Sequence, residues 1–227
     1  GWVTQILLVN PTDTAMTGSI QFTNDNGANV TISSQTTYSV PRRGSQKIAT
    51  PGSAGTTTVG AVRIAPTGGG AAPTPLIVFS YKPLGIVVSE AGVPTLSGTA
   101  FRLYAEASGT NGQAGNIQTG IAVANNSTAA ATVTFELTNL DGSTTGLPAA
   151  ATINMSASGH KGQFLADIFP SGLPNPFKGV LRISTTATGI SVVGLRARYN
   201  ERSSAEAFII TTTPPTLQPT QARSARS

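Results

Sequence analysis

Thr4-Gln5-Ile6-Leu7-Leu8-Val9-Asn10 and Thr119-Gly120-Ile121-Ala122-Val123-Ala124-Asn125 read as two versions of one strand, about 115 residues apart. The register persists outward from this match. Ile20 and Phe22 fall on Phe135 and Leu137, Asn24 on Asn139, Gly27 on Gly142 and Gly44 on Gly159. Further along, Gly60-Ala61-Val62-Arg63-Ile64 matches Gly179-Val180-Leu181-Arg182-Ile183, and Glu90-Ala91 matches Glu206-Ala207, as the offset drifts by a few residues. Self-similarity at a fixed period marks a repeated supersecondary unit. A unit of roughly 110 residues has the usual size of a β-sandwich.

Within each copy the apolar residues alternate: Ile6 and Leu8, Ile20 and Phe22, Val30 and Ile32, Val62 and Ile64, then Ile121 and Val123, and Val133, Phe135 and Leu137. Period two puts one face of a strand in a core and the other in solvent. Turn signals separate the runs, among them Asn10-Pro11-Thr12-Asp13, Pro41-Arg42-Arg43-Gly44 and Gly68-Gly69-Gly70. Asn26-Gly27 and Asp141-Gly142 are dipeptides that tolerate positive φ in two-residue hairpins. Helical spacing is nearly absent, with one short helical turn expected in Gly162 to Phe169, before Pro170. The expected fold is all-β: two tandem antiparallel β-sandwich domains related by internal duplication, spanning 1–98 and 99–213, followed by an extended Thr/Pro-rich tail at 214–227.

The copies differ at their starts. Ala100-Phe101-Arg102-Leu103-Tyr104-Ala105-Glu106 alternates like a strand and precedes the Thr119 repeat, so its counterpart in copy one falls before Gly1. Copy one is therefore expected to lack its first strand, which leaves backbone groups and an apolar groove open to a strand from elsewhere. Trp2, Ile6 and Leu8 at the start of copy one, with Leu217 in the tail, are the candidate subunit contacts. The opening at Gly1 rather than Met is read as a processed or partial chain whose export signal precedes this numbering.

Composition narrows the function classes. Of 227 residues only 10% are charged, 39% are hydrophobic, and Gly and Pro number 25 and 15. The net charge of +5 comes from scarce acids, 9 against 14 bases. Arg63, Arg102, Arg182, Arg196 and Arg198 fall inside apparent strands, and Arg42 and Arg43 sit in a turn. This is the spread of a solvated β face rather than a nucleic-acid footprint, so no nucleic-acid partner is expected. The absence of Cys excludes disulfides, thiol catalysis and cysteine zinc sites. No apolar run reaches the 18 or more residues of a spanning helix, and no membrane span is expected.

The residues that could carry chemistry are few. The one histidine, His160, has Asp167 nearby in sequence and no G-x-S-x-G elbow to serve, so it reads as a polar turn residue. Glu90, Glu106, Glu136, Glu201 and Glu206 are scattered mostly at strand positions or ends, where hydrogen bonding to Arg or exposure to water accounts for them better than a two-carboxylate site. Asn24, Asp25 and Asn26 cluster as calcium ligands might, but a hairpin turn explains them more economically. Gly109-Thr110-Asn111-Gly112-Gln113-Ala114-Gly115 lacks the Lys-Ser/Thr ending of a phosphate loop and reads as an inter-strand loop. No catalytic, metal or cofactor residues are assigned. Trp2, Tyr38, Tyr81, Tyr104 and Tyr199 are the aromatics available to a polysaccharide. Asn29, Asn125, Asn126 and Asn154 stand in N-x-Ser/Thr triplets, and Thr216 in the Thr/Pro tail is a candidate O-glycan acceptor.

The segments Gly1 to Thr12 (GWVTQILLVNPT), Phe101 to Glu106 (FRLYAE), Gly179 to Ser184 (GVLRIS) and Val193 to Arg202 (VGLRARYNER) resemble tandem Ig-like β-sandwich repeats of large secreted or surface proteins of environmental bacteria. The resemblance covers nearly the whole chain except the tail and brings no functional residues. It implies export, an extracellular or cell-surface location and a modular, non-catalytic life. It also implies that a strand like Phe101 to Glu106 precedes each Trp-Thr-Gln start. The expected function is a structural subunit of a filament or stalk, assembled with its own copies end to end by strand exchange; the alternative is a polysaccharide- or surface-binding adhesion module.

Overall fold

The computed structural model describes residues 1–53, 56–148, 150–201 and 208–218. The fold is all-β, in antiparallel sheets, as the alternation requires. The first half runs β1 (Trp2–Val9), β2 (Met16–Thr23), β3 (Thr37–Val40), β4 (Ser45–Ala49), β5 (Ala61–Pro66), β6 (Thr74–Tyr81) and β7 (Ser89–Pro94). These form two sheets, ordered β4-β1-β6-β7 and β3-β2-β5. Ile6, Leu8, Ile20, Phe22, Tyr38, Val40 and Ile48 meet between them as one core.

The second half begins with β8 (Ser97–Gly98) and β9 (Ala100–Ser108), followed by β10 (Ile117–Asn125), β11 (Ala131–Asn139), β12 (Ala151–Met155), β13 (His160–Phe164), the short helix α1 (Leu165–Ile168), β14 (Phe177–Thr185), β15 (Ile190–Tyr199), β16 (Phe208–Thr212) and β17 (Thr216–Leu217). Its pairing repeats the first half strand for strand. β10 lies between β13 and β15, β15 pairs β16, and β11 lies between β12 and β14. The register is that of the sequence match: Ile20 sits opposite Ile64 as Phe135 sits opposite Ile183, and Phe22 opposite Val62 as Leu137 opposite Leu181. The expected helical turn is α1.

Two buried asparagines carry the repetition into side-chain detail. Asn10 ends the β1 segment and Asn125 ends β10, and each is 1% exposed. Asn10 Nδ2 donates to the carbonyls of Thr14, Val40 and Pro41 at 2.7, 3.2 and 3.0 Å, while its Oδ1 accepts from Thr12 N and Oγ1. Asn125 Nδ2 donates to the carbonyls of Ala129 and Ser156 at 2.8 and 2.9 Å, and its Oδ1 accepts from Ser127 N and Oγ. In both places one side chain satisfies the backbone of two loops that no ladder reaches.

The β2 turn departs from the sequence reading. Gly27 N donates to Asn24 O and Asn24 N to Ala28 O, with positive φ at Gly27 and not at Asn26. The loop is thus one residue longer than a two-residue hairpin and closes on a left-handed glycine, as does Asn139 to Ser143. There the hydroxyl and amide of Ser143 donate to Asp141 Oδ1 at 2.6 and 2.9 Å and hold its carboxyl below the ordinary aspartate range.

The halves are stitched together rather than strung. Leu96 packs on the second core, Ser97–Gly98 pairs β15, and Thr185 N donates to Thr99 O, so second-half structure starts directly after β7. Alongside, β16 lies against β7 without a ladder. Ser89 Oγ accepts from Ile210 N at 2.7 Å and donates to Ile210 O at 3.0 Å, while Thr212 Oγ1 donates to Gly92 O at 2.7 Å. Ser89→Ala would leave both backbone groups of buried Ile210 without these partners. The expected loss is about 2 kcal/mol in chemical denaturation; a loss under about 0.5 kcal/mol would mean the hydroxyl clasp contributes nothing.

Tyr38 carries the opposite kind of effect. Its ring fills the first core at 3% exposure, and its hydroxyl has no partner among the described residues. Gly18 is required opposite it, because a Cβ there would lie 2.5 Å from the Tyr38 oxygen. Burial raises the Tyr38 pKa, so the neutral form is the folded one. The stability tied to this proton is fully present below the unfolded pKa of about 10 and is lost as pH rises through the folded value. Tyr38→Phe is expected to stabilise by about 1 kcal/mol at neutral pH and to flatten the decline in melting temperature above pH 10.

Candidate functional site

The feature that sets one half apart from the other is the edge of the smaller sheet. In the second half, β9 pairs β14 along Ala100 to Ala107, then turns the corner and pairs β10 through Ala107 and Ser108. The path β12-β11-β14-β9-β10-β15-β16 is therefore continuous. In the first half β5 pairs β2 on one side and no described strand on the other.

Burial records the consequence. Leu181 and Ile183 on β14 are 0% exposed beside Phe101, Leu103 and Ala105 of the paired β9. Their counterparts Val62 and Ile64 on β5 are only half-buried and lie at the margin of the first core. An edge with free N–H and C=O groups beside an incompletely covered apolar strip has the chemistry of a strand acceptor.

This moves the expected contact. Ile6 and Leu8, named from sequence as subunit contacts, are 0% exposed inside the first core, because β1 is flanked by β4 and β6. The uncovered strip belongs to β5 instead. Trp2 is half-buried and packs on Tyr81 with ring centroids 4.8 Å apart. Leu217 is 51% exposed in β17, which pairs β9 on the side away from β14. That pairing places the first part of the 214–227 segment on the second half's sheet, while 219–227 lies outside the described residues.

Several titratable residues are used in contacts between strands and between halves. His160, 6% exposed, sets Nδ1 3.1 Å from Asp25 Oδ1, and Lys161 Nζ donates to Asp25 Oδ2 at 3.5 Å. The turn carrying Asp25 abuts the Ala157 loop so closely that a Cβ on Gly27 would lie 2.1 Å from Ala157 O. Asp167, the sequence neighbour considered for His160, instead accepts from Phe164 N at 3.0 Å at the start of α1. Asn24 Oδ1 accepts from the amides of Asn26 and Ala28, so these loop groups are turned to the backbone rather than toward a cation.

Glu106 meets Arg196 at 2.8 Å, Glu136 meets Arg182 and Glu201 meets Arg198, while Glu90 accepts from Ser80 Oγ at 2.5 Å. Glu206 and Ala207 lie outside the described residues. Among the described residues no three His, Cys, Asp or Glu side chains gather to hold a metal, and no helix is long and apolar enough to cross a membrane. Gly109 to Gly115 is the loop joining β9 to β10.

Asn29 and Asn154 are exposed, and Asn154 Oδ1 accepts from Thr132 Oγ1 at 2.9 Å. Asn126 is half-buried and donates to Ser191 Oγ. Asn125 is the buried corner residue, whose Nδ2 is committed to two carbonyls and faces away from solvent. Thr216 is exposed, with Oγ1 donating to Arg102 O at 3.3 Å. A polar cleft of about 250 Å³ lies between the halves, lined by Gln21, Asn29, Arg63, Asn126 and Ser158 among others. No protein-family model, curated protein or solved structure matches this chain.

Proposed function

We propose that the chain is a non-catalytic structural protein of the cell exterior, a subunit of a filament or stalk that joins its neighbours through the edge of β5. The observation that supports this reading is the contrast between two strands of equal rank: β14 is covered by β9, and β5 is uncovered among the described residues. Asp25, Glu106 and Glu136 with the single histidine support it further, since they are engaged in holding strands and halves together. The test is size-exclusion chromatography with light scattering, electron microscopy and hydrogen exchange over a concentration series. Elongated assemblies are expected at high concentration, with β5 amides exchanging fast in the dilute monomer and slowly in the assembly. A monomer at every concentration, with β5 protected as well as β14, overturns the reading.

A second reading, a polysaccharide-binding adhesion module, is favoured by the polar cleft beside Arg63. A glycan array tests it, followed by Arg63→Ala, Trp2→Ala and Tyr104→Ala. Loss of binding with the fold intact would establish it in place of the first.

A further inference from the structure

We infer that the β5 edge accepts one extended segment from outside the described residues. The segment runs antiparallel to β5, with apolar side chains opposite Ile64 and Val62, a small residue opposite Gly60 and an acidic or amide residue opposite Arg63. The inference rests on reading β5 as a contact edge, and goes further by naming what that edge takes.

The second half supplies the template. Across β14, Phe101 stands opposite Ile183, Leu103 opposite Leu181 and Ala105 opposite Gly179. The matched pairs on β2 and β11 carry these positions onto Ile64, Val62 and Gly60. Gly60 and Gly179 share their tight surroundings: a Cβ would lie 2.4 Å from Thr23 O in one and 2.2 Å from Thr138 O in the other. An incoming strand of the β9 pattern would therefore meet the same relief on β5 that β9 meets on β14. The described chain has no such segment to spare. Its alternating strands are already paired, and the run before β17 brings Pro214 and Pro215, which have no N–H for a ladder.

Charge distinguishes the occupant from β9 itself. Arg102 of β9 faces Arg182 of β14 directly, an unfavourable cross-strand pair. Two neighbours reconcile it: Glu136 pairs with Arg182, and Gln218 Oε1 accepts from Nε of both arginines at 3.1 Å. On the first half the residue opposite Arg63 is Gln21 rather than a glutamate. Arg63 is exposed and makes no ion pair among the described residues. A second arginine there would have no acid to offset it, so the incoming residue is acidic or an amide.

The probe is a labelled synthetic peptide with the sequence of Ala100 to Ser108 carrying Arg102→Glu, added to the full chain and followed by fluorescence anisotropy and hydrogen exchange. Saturable binding is expected, with exchange at residues 61–65 slowed by about tenfold or more. Leu103→Asp in the peptide should abolish binding, and restoring Arg102 should weaken it about threefold. No binding to the folded chain, or equal binding of the Leu103→Asp peptide, overturns the inference. A chain that stays monomeric at high concentration yet takes up the peptide refutes self-assembly and leaves the acceptor edge standing. A chain that assembles yet takes up no peptide when dilute refutes the acceptor edge and leaves assembly standing.

Discussion

Phe101→Ala is expected to cost about 3–5 kcal/mol and to unfold the second half at temperatures the native chain tolerates. The ring is fully buried on β9, sits opposite Ile183 and belongs to the core that also holds Phe135 and Leu181. Truncation removes its apolar contacts and leaves a cavity in a close-packed interior. A matched comparison isolates what β9 contributes. Leu181→Ala, beside β9, should cost about 2–5 kcal/mol, whereas Val62→Ala, at the corresponding place on the uncovered edge, should cost about 1 kcal/mol or less. Chemical denaturation of the three variants decides the matter. Equal losses for Leu181→Ala and Val62→Ala would mean that β5 is covered as well as β14.

The second large effect lies at the asparagine corners. Asn10→Ala and Asn125→Ala should each cost about 3 kcal/mol, because each removes several hydrogen bonds made by a side chain that is almost wholly buried. Asn125→Asp should be as damaging as Asn125→Ala despite its shape. A carboxylate offers no donor to the carbonyls of Ala129 and Ser156 and brings an unpaired charge into a buried corner. Denaturation midpoints below the native value by less than 1 kcal/mol equivalent at both sites would show that the corners are held by something else.

The fold was largely legible because alternation and repetition report the same thing twice. Ile20 facing Ile64 and Phe135 facing Ile183 follow from matching two short strings at one register. Reading period two assigns a residue to a face but says nothing about which strand stands at a sheet's edge. Placing the missing strand before Gly1 therefore points to Ile6 and Leu8 as contacts, whereas the order β3-β2-β5 leaves the open side on Val62 and Ile64. The partner of His160 was hidden for a different reason. Asp25 is 135 positions away and belongs to the other half, and no local spacing marks such a pair. Ser89 was equally silent, since a serine within an alternating strand gives no sign that its hydroxyl will stand in for a missing ladder to Ile210.

The crossing from Pro94 to Ala100 is tied down along its length, by Leu96 in the second core and Ser97–Gly98 on β15. A protease therefore finds no slack joint at which to cut one half from the other, and tension drawn along the chain finds no swivel to relieve it. Twist applied to one half must be borne by its companion, so the pair should behave under load as a single stiff link.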